Sequence, residues 1–441
     1  MTSAMSAAKK TSILFLQGPP SLFWCEMAKA FEAQGMSTYR VNFSLGDQLY
    51  WRKRGAINYR RSIKHWPAYV EALIRKNKIT DILYYADQLP YHRIACEVAR
   101  KLGVRCHAVE HGYLRPDWIT LERDGMGRFS HFPTDPQHIA SLAEQVSEPD
   151  MVVKYPHTFG QEAFNEVLYN LVAYFGRPFF PFFDDDKYYS AVVDYLPWVA
   201  RAFRTPKILE TEDLKHTKSA FFLLALQLQS DYQIRANSPY RHLGDMLEEV
   251  ISSFAAHAEK EHVLLIKQHP LDNGIERWDQ RISRIAKANG VEDRVKFIEQ
   301  GNLNAILAHA HGVIVVNSTV GLYSLRAHKP TLVLGCAVYD IEGLTHNSGL
   351  DRFWRSPMPV DAELADKLVS TLAATIQVKG NFYHKEGKKV AIAEIVRRIA
   401  QGMVNEPGAF VEPAPRLSSK KGFIYEQPEV RPMQESDAGV L

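Results

Sequence analysis

The chain of 441 residues is short of cysteine, of net charge and of long apolar runs, and each shortage excludes a class of function. Its four cysteines, Cys25, Cys96, Cys106 and Cys336, stand far apart and form no CxxC pair. That argues against a zinc site and against a disulfide framework, and it fits a reducing compartment. A formal net charge of +3 is no polycation, so nothing global argues for nucleic acid. No window approaches the roughly eighteen apolar residues of a membrane-spanning helix. The apolar run Ile13 to Leu16 is too short for a secretory signal, so the expected location is cytoplasmic. No internal sequence repeat is present. What is there is an ordinary globular balance, 46% hydrophobic and 23% charged, on a length that predicts about two or three domains.

The richest stretch runs from Val263 to Gly335. It opens VLLIKQHP, Val263 to Pro270, and closes VIVVNSTVGLYSLRAHKPTLVLG, Val313 to Gly335. Each begins with a short apolar β-branched run, the mark of a buried parallel strand. Each run stops at polar residues: Lys267, Gln268 and His269 in the first, Asn317, Ser318 and Thr319 in the second. Ligands of open α/β sheets bind outside the carboxyl ends of the strands. Past Thr319 the spacing turns helical, and Gly321 would let a ligand come close to the backbone. Lys267 and His269 add donors for the same anion. The local reading is a nucleotide-phosphate site. Ordinary strand caps would look similar one at a time.

Taken in order, the first half alternates strand and helix. Ser12–Leu16, Thr38–Phe43, Asp81–Tyr85 and Arg105–Val109 read as strands. Phe23–Ala33, Pro67–Arg75 and His92–Leu102 read as helices. The pattern predicts a Rossmann-like unit over residues 1–205 whose active edge carries Gly18, Asp47, Asp87 and Glu110. Between Tyr50 and Trp66 lie Arg52, Lys53, Arg54, Arg60, Arg61 and Lys64, with no acid. Tyr50, Trp51, Tyr59 and Trp66 interleave with them, a composition suited to an anionic lipid surface or an acidic substrate, or to a plain solvated face. EHGYLRPDWITLERD, Glu110 to Asp124, concentrates the carboxylates Glu110, Asp117 and Glu122 beside Arg115, as glycosyl transfer requires and as a surface loop also could. The acids of PFFPFFDDD, Asp184 to Asp186, read as helix caps in preference to a metal site. A second Rossmann-like unit is expected over 206–403. Gln229, Asp231 and Arg235 project from its first strand end, and Leu303–Ala310 and His242–Ala258 read as helices. Residues 404–441, rich in proline and charge, read as a disordered or loosely packed tail.

Two Rossmann-like domains facing a central cleft, with a nucleotide site in the second, look like the GT-B glycosyltransferase plan. FLQGPPSLF, VNFSLGDQLYW, EHGYLRPDWITLE, LQLQSDYQIRANSPY, KQHP and NSTVGLYSLRAHKPTLVLG, in order across residues 12–340, resemble the bacterial capsule polysaccharide biosynthesis proteins of the KpsS type. The resemblance implies retaining β-transfer of Kdo (3-deoxy-D-manno-oct-2-ulosonic acid) from CMP-Kdo to a phosphatidylglycerol-type lipid, with no cofactor or metal. That acceptor would place the enzyme at the inner face of the cytoplasmic membrane, among other capsule synthesis and export proteins. It implies that Lys267, His269, Pro270, Asn317, Ser318, Thr319 and Gly321 hold the CMP-sugar. Gly18, Arg115, Gln229, Asp231 and Arg235 would then meet sugar or acceptor, and Trp51, Arg52, Lys53, Arg54, Arg60 and Arg61 the lipid. Related Kdo transferases carry Glu-Asp before the glycine, where this chain has Glu110-His111. Glu110 is therefore the expected nucleophile, Asp117 the second choice and His111 an acid/base or phosphate ligand. Tyr323 stands where many GT-B enzymes have a ribose-binding glutamate. Two other readings remain: a non-catalytic capsule-binding subunit coupled to ABC-transporter export, and a GT-B transferase using a UDP-sugar.

Overall fold

The computed structural model of the chain describes residues 11–156, 159–189, 193–195, 197, 206–210 and 219–419. The alternating runs of the first half form β1 (Ser12–Phe15), β2 (Ser37–Asn42), β3 (Ile57–Asn58), β4 (Asp81–Tyr85), β5 (Arg105–His111) and β6 (Trp118–Arg123). The first five are mutually parallel in the order β5-β4-β1-β2-β3, and β6 adds antiparallel to β5. Side chains alternate across this sheet as a strand period of two requires. Ile13, Phe15, Leu83 and Val109 enter one apolar layer, while Leu14, Ile82, Tyr84 and Ala108 enter the other. Helix α1 (Phe23–Ala33) covers the first face. α3 (Trp66–Asn77) and α4 (Pro90–Lys101) cover the second. The residues after β2 turn straight into α2 (Leu45–Tyr50), because Ser44 and Asp47 close a capping box.

After α5 (Pro136–Ala143) and α6 (Phe159–Phe175), a short strand, β7 (Ile208–Leu209), leads into the second unit. Its sheet is wholly parallel, in the order β10 (Val295–Ile298), β9 (Val263–Lys267), β8 (Phe221–Ala225), β12 (Gly312–Val315), β13 (Thr331–Val333). β11 (Gln300–Gly301) pairs with β7. These strands are apolar on consecutive residues because helices lie on both faces. They include α7 (Tyr232–Asn237), α8 (Leu243–His257), α9 (Trp278–Ala288), α10 (Leu303–His309), α11 (Val320–Arg326), α12 (Leu350–Phe353) and α13 (Ala362–Thr375). The architecture is α/β, GT-B-like, with two Rossmann-like sheets.

The division into units differs from the expectation at its C-terminal end. β14 (Gln377–Lys379) pairs antiparallel with β6, and α14 (Lys385–Ala400) lies on the first sheet beside α1. Val378 completes the layer of Ile119 and Leu121, and Ile395 and Ile399 bury against the same core as Phe23 and Phe31. Residues 377–403 thus belong to the first unit. The tail also differs, since residues 404–419 are packed. Val404 and Ala409 are buried, and the buried Arg416 guanidinium donates to the carbonyls of Phe132 at 2.5 Å and Val338 at 2.6 Å. Those contacts stitch the two units together. Residues 420–441 lie outside the described residues.

Candidate active site

Glu110 and His111 stand at the C-terminal end of β5, which runs two residues past its expected stop because Glu110 and His111 pair with Thr120 and Ile119 of β6. The turn needs Gly112, since a Cβ there would lie 2.5 Å from the Trp118 backbone. EHGYLRPDWITLERD is therefore a hairpin, a form that residue types alone did not show. Asp117 sits 1% exposed within it and accepts from the amide of Lys154 at 2.7 Å, the amide of Tyr155 at 3.3 Å and Lys379 Nζ at 2.9 Å. Its partners tie the hairpin to β14. Glu122 is buried between the Tyr113 and Ser130 hydroxyls, and burial pushes its carboxyl up to about 7. Asp87, after β4, accepts from the Met126 amide at 3.0 Å, and burial raises it to about 6.

Facing this edge are the strand ends of the second unit. Lys267, at the end of β9, is 9% exposed, and burial depresses its ammonium. Its Nζ has the Gln268 carbonyl at 3.5 Å, and among the described residues no carboxylate pairs with it. A buried, uncompensated cation is unfavourable unless an anion arrives. His269 accepts the Leu271 amide on Nδ1 at 3.1 Å, which leaves Nε2 to carry the proton. Burial first, then Arg115 and Lys267, hold it down to about 4, so the ring is a neutral donor. Asn317 exchanges hydrogen bonds with Gln227 (2.8 and 3.1 Å) and donates to the carbonyls of Gln233 and Asn237, which locks the end of β12. Ser318 accepts the Val320 amide at 3.2 Å, and the Thr319 hydroxyl makes no capping bond.

Across the gap, Tyr232, the first residue of α7, donates its hydroxyl to Glu110 Oε2 and receives Gln233 Nε2 at 2.8 Å. Asp231 caps α7 by accepting the Gln233 amide at 2.9 Å. Burial pushes Glu110 up to about 8; the Tyr232 bond and Arg115 pull it down, while Asp231 and Asp87 push it further up. Burial likewise raises Asp231, opposed by Arg115 and Arg235. Arg115 thus acts on Glu110 and on Asp231 and His269 of the facing unit, and its carbonyl accepts the Tyr323 hydroxyl at 3.1 Å. Tyr232 was not among the residues singled out from sequence. Its one signal was its place directly after a helix-capping aspartate. Beside this cluster His111 Nε2 lies 3.2 Å from Glu162 of α6. Glu162 borders a cavity of about 390 Å³ lined also by Glu166, Tyr189, Asp194, Leu228 and Glu276.

Other expected residues are placed differently. Gln229 is buried and braces a loop, accepting the Leu243 amide at 2.8 Å and donating to the Arg241 carbonyl. Arg235 is held by Asp186 at 3.2 Å, and Asp185 lies 3.4 Å from Arg177; the start of the helix that the acid run is expected to cap lies outside the described residues. Gly321 gives room to the Tyr339 ring, whose hydroxyl meets the Ser318 carbonyl, and Gly18 gives room to Trp24. Pro270 is exposed in the turn after β9. Three of the four aromatics of the basic stretch are core residues: Trp51 is 6% exposed against Phe15, and Tyr59 and Trp66 are buried beside Phe43, while Tyr50 is half-buried with its hydroxyl on Asn165. Arg52, Arg54, Arg60 and Arg61 are exposed, while Lys53 pairs with Glu32. The interleaving is the rhythm of inward rings and outward cations.

No helix among the described residues is long and apolar enough to cross a membrane, and none of their acid, histidine or cysteine groups gathers as a metal set. The model of a family described as capsule polysaccharide biosynthesis protein matches residues 80–383. The capsule polysaccharide export protein KpsS of Escherichia coli is 31% identical over 84% of this chain and 96% of its own length. The capsule polysaccharide modification protein LipB of Neisseria meningitidis serogroup A is 29% identical over 84% and 91%. Among solved structures, the β-Kdo 2,7 transferase of Thermosulfurimonas dismutans KpsC aligns with 89% of this chain and 99% of its own, at a TM-score of 0.42 and 14% identity. The chain belongs to the capsule polysaccharide biosynthesis protein family.

Proposed function

We propose that the chain is a retaining β-Kdo transferase that moves Kdo from CMP-Kdo to a phosphatidylglycerol-type lipid at the inner membrane face. The product would start the poly-Kdo linker of a capsular polysaccharide, in concert with other capsule synthesis and export proteins. One observation carries the reading: Arg115 acts both on the half-buried Glu110 and on His269 of the other unit, two residues from Lys267, which is buried with no carboxylate partner among the described residues. In this reading Lys267 and the Nε2–H of His269 take the CMP phosphate, which leaves with the electron pair of the broken anomeric bond. The Glu110 carboxylate forms a bond to the anomeric carbon, and the acceptor hydroxyl, giving its proton to His111, then displaces Glu110 as the free carboxylate, with net retention. Arg115 is exposed and has no carboxylate at ion-pair distance among the described residues, so it suits the sugar's own carboxylate better than Arg235, which Asp186 occupies. The acid-lined cavity beside Glu162 would take acceptor hydroxyls.

The test is incubation with CMP-Kdo, generated in situ, and a fluorescent phosphatidylglycerol analogue, followed by mass spectrometry. Gain of one Kdo is expected, with Glu110→Gln inactive yet unchanged in CMP affinity. CMP protection against heat without turnover would favour the non-catalytic, export-coupled reading. Protection by UDP in place of CMP would favour a UDP-sugar enzyme.

A further inference from the structure

Helix α6 is turned the wrong way for a surface helix. An amphipathic helix normally sends its apolar stripe to the core, yet here Phe164, Leu168, Leu171 and Phe175, spaced to share one face, look outward. Phe164 is 66% and Phe175 71% exposed, with Leu168 and Leu171 half-buried between them. The opposite face is polar and points in: Glu162 meets His111, and Tyr169 meets Gln17 and Asp47. The turn after α6 extends the stripe. In its two Phe-Phe pairs, Phe180 is buried under Arg60 and Phe183 stacks on Tyr91, which leaves Phe179 and Phe182 60% and 59% exposed. The inward rings pin the turn with Phe179 and Phe182 on its outer side. Arg60, over the Phe180 ring, and Arg177 stand exposed beside it, and Arg61 and Lys64 are exposed next to Arg60 in the chain. Among the described residues, Asp185 is the acid that pairs with one of them, Arg177.

We propose that α6 and the turn through Phe182 form an in-plane membrane-docking surface, with the phenylalanines inserting into a leaflet whose anionic headgroups meet Arg60, Arg61 and Lys64. The occupant is a lipid surface because exposed aromatics ringed by cations complement an anionic bilayer. This deepens the lipid-acceptor reading: the docking face lies on the same helix whose inner side lines the acid-rich cavity, so the bilayer would be presented at the cavity's mouth.

Vesicle co-sedimentation of the full chain tests it without donor or turnover, so its outcome stands apart from that of the transferase assay. Wild type is expected to bind phosphatidylglycerol-containing vesicles more tightly than pure phosphatidylcholine. The triple variant Phe175→Ser, Phe179→Ser, Phe182→Ser should lose at least about tenfold, ~1.4 kcal/mol, on both, with an unchanged melting temperature because these rings are outside the core. Arg60→Glu with Arg61→Glu should erase only the preference for the anionic lipid. A triple variant that sediments like wild type would overturn the proposal. So would a wild type that ignores both vesicles, or one that dimerises through this face and becomes monomeric in the triple variant.

Discussion

Replacing Glu110 by glutamine keeps the side chain's shape and removes its charge, which isolates what the structure does to that carboxyl. Burial lifts it from 4.5 to about 8. The folded chain therefore holds a proton there that the unfolded chain has released. For a carboxyl raised in this way the sign is fixed: stability falls as pH rises from the unfolded value through the folded one, and the loss is complete above about 8. Between pH 5 and pH 8 the linkage amounts to roughly 3 kcal/mol for Glu110 alone. Glutamine does not titrate. The difference in unfolding free energy between Glu110→Gln and wild type should thus grow in favour of the variant by about that amount across this range. Urea unfolding at a series of pH values, followed by tryptophan fluorescence, measures it. A difference that stays flat with pH would show that Glu110 titrates normally, and would remove the buried, cleft-facing environment inferred for it. The same carboxyl must be ionised to act as nucleophile. Turnover by wild type should therefore climb with pH and level off above about 8.

Tyr232→Phe removes the hydrogen bond that pulls Glu110 down, so the pH–rate midpoint should move up; an unmoved midpoint would detach Tyr232 from the site. Lys267→Met replaces an uncompensated buried ammonium by an apolar chain of similar length. The variant should melt at or above the wild-type temperature yet lose thermal protection by CMP, and a variant that CMP still protects would place the phosphate elsewhere. Asp117→Ala strips two backbone amides and Lys379 of their acceptor. It should cost about 3 kcal/mol in urea unfolding, and loss of turnover at full stability would instead make Asp117 a participant in the chemistry.

Strands and helices were largely legible because each carries its own signal. The apolar run of β9 and the spacing of α1 follow from local period and side-chain type, and so does a second sheet buried on both faces. Lys267 and His269 were legible for the same reason, since polar residues ending an apolar run mark a strand's carboxyl end. What a residue touches across the fold had no such signal. Glu110 and Asp117 are both acids of one polar stretch, yet pairing between β5 and β6 points one into the cleft and gives the other to Lys379 and two amides. Trp51, Tyr59 and Trp66 alternate with arginines in a way that fits a lipid surface equally well. Only packing against Phe15 and Phe43 put the rings inside. The return of β14 and α14 to the first sheet, and the docking of Arg416 across both units, depend on contacts between residues hundreds of positions apart. Local propensity is a property of neighbours in the chain. Burial, pairing and the raised carboxyl of Glu110 are properties of neighbours in space, and only the tertiary structure decided those.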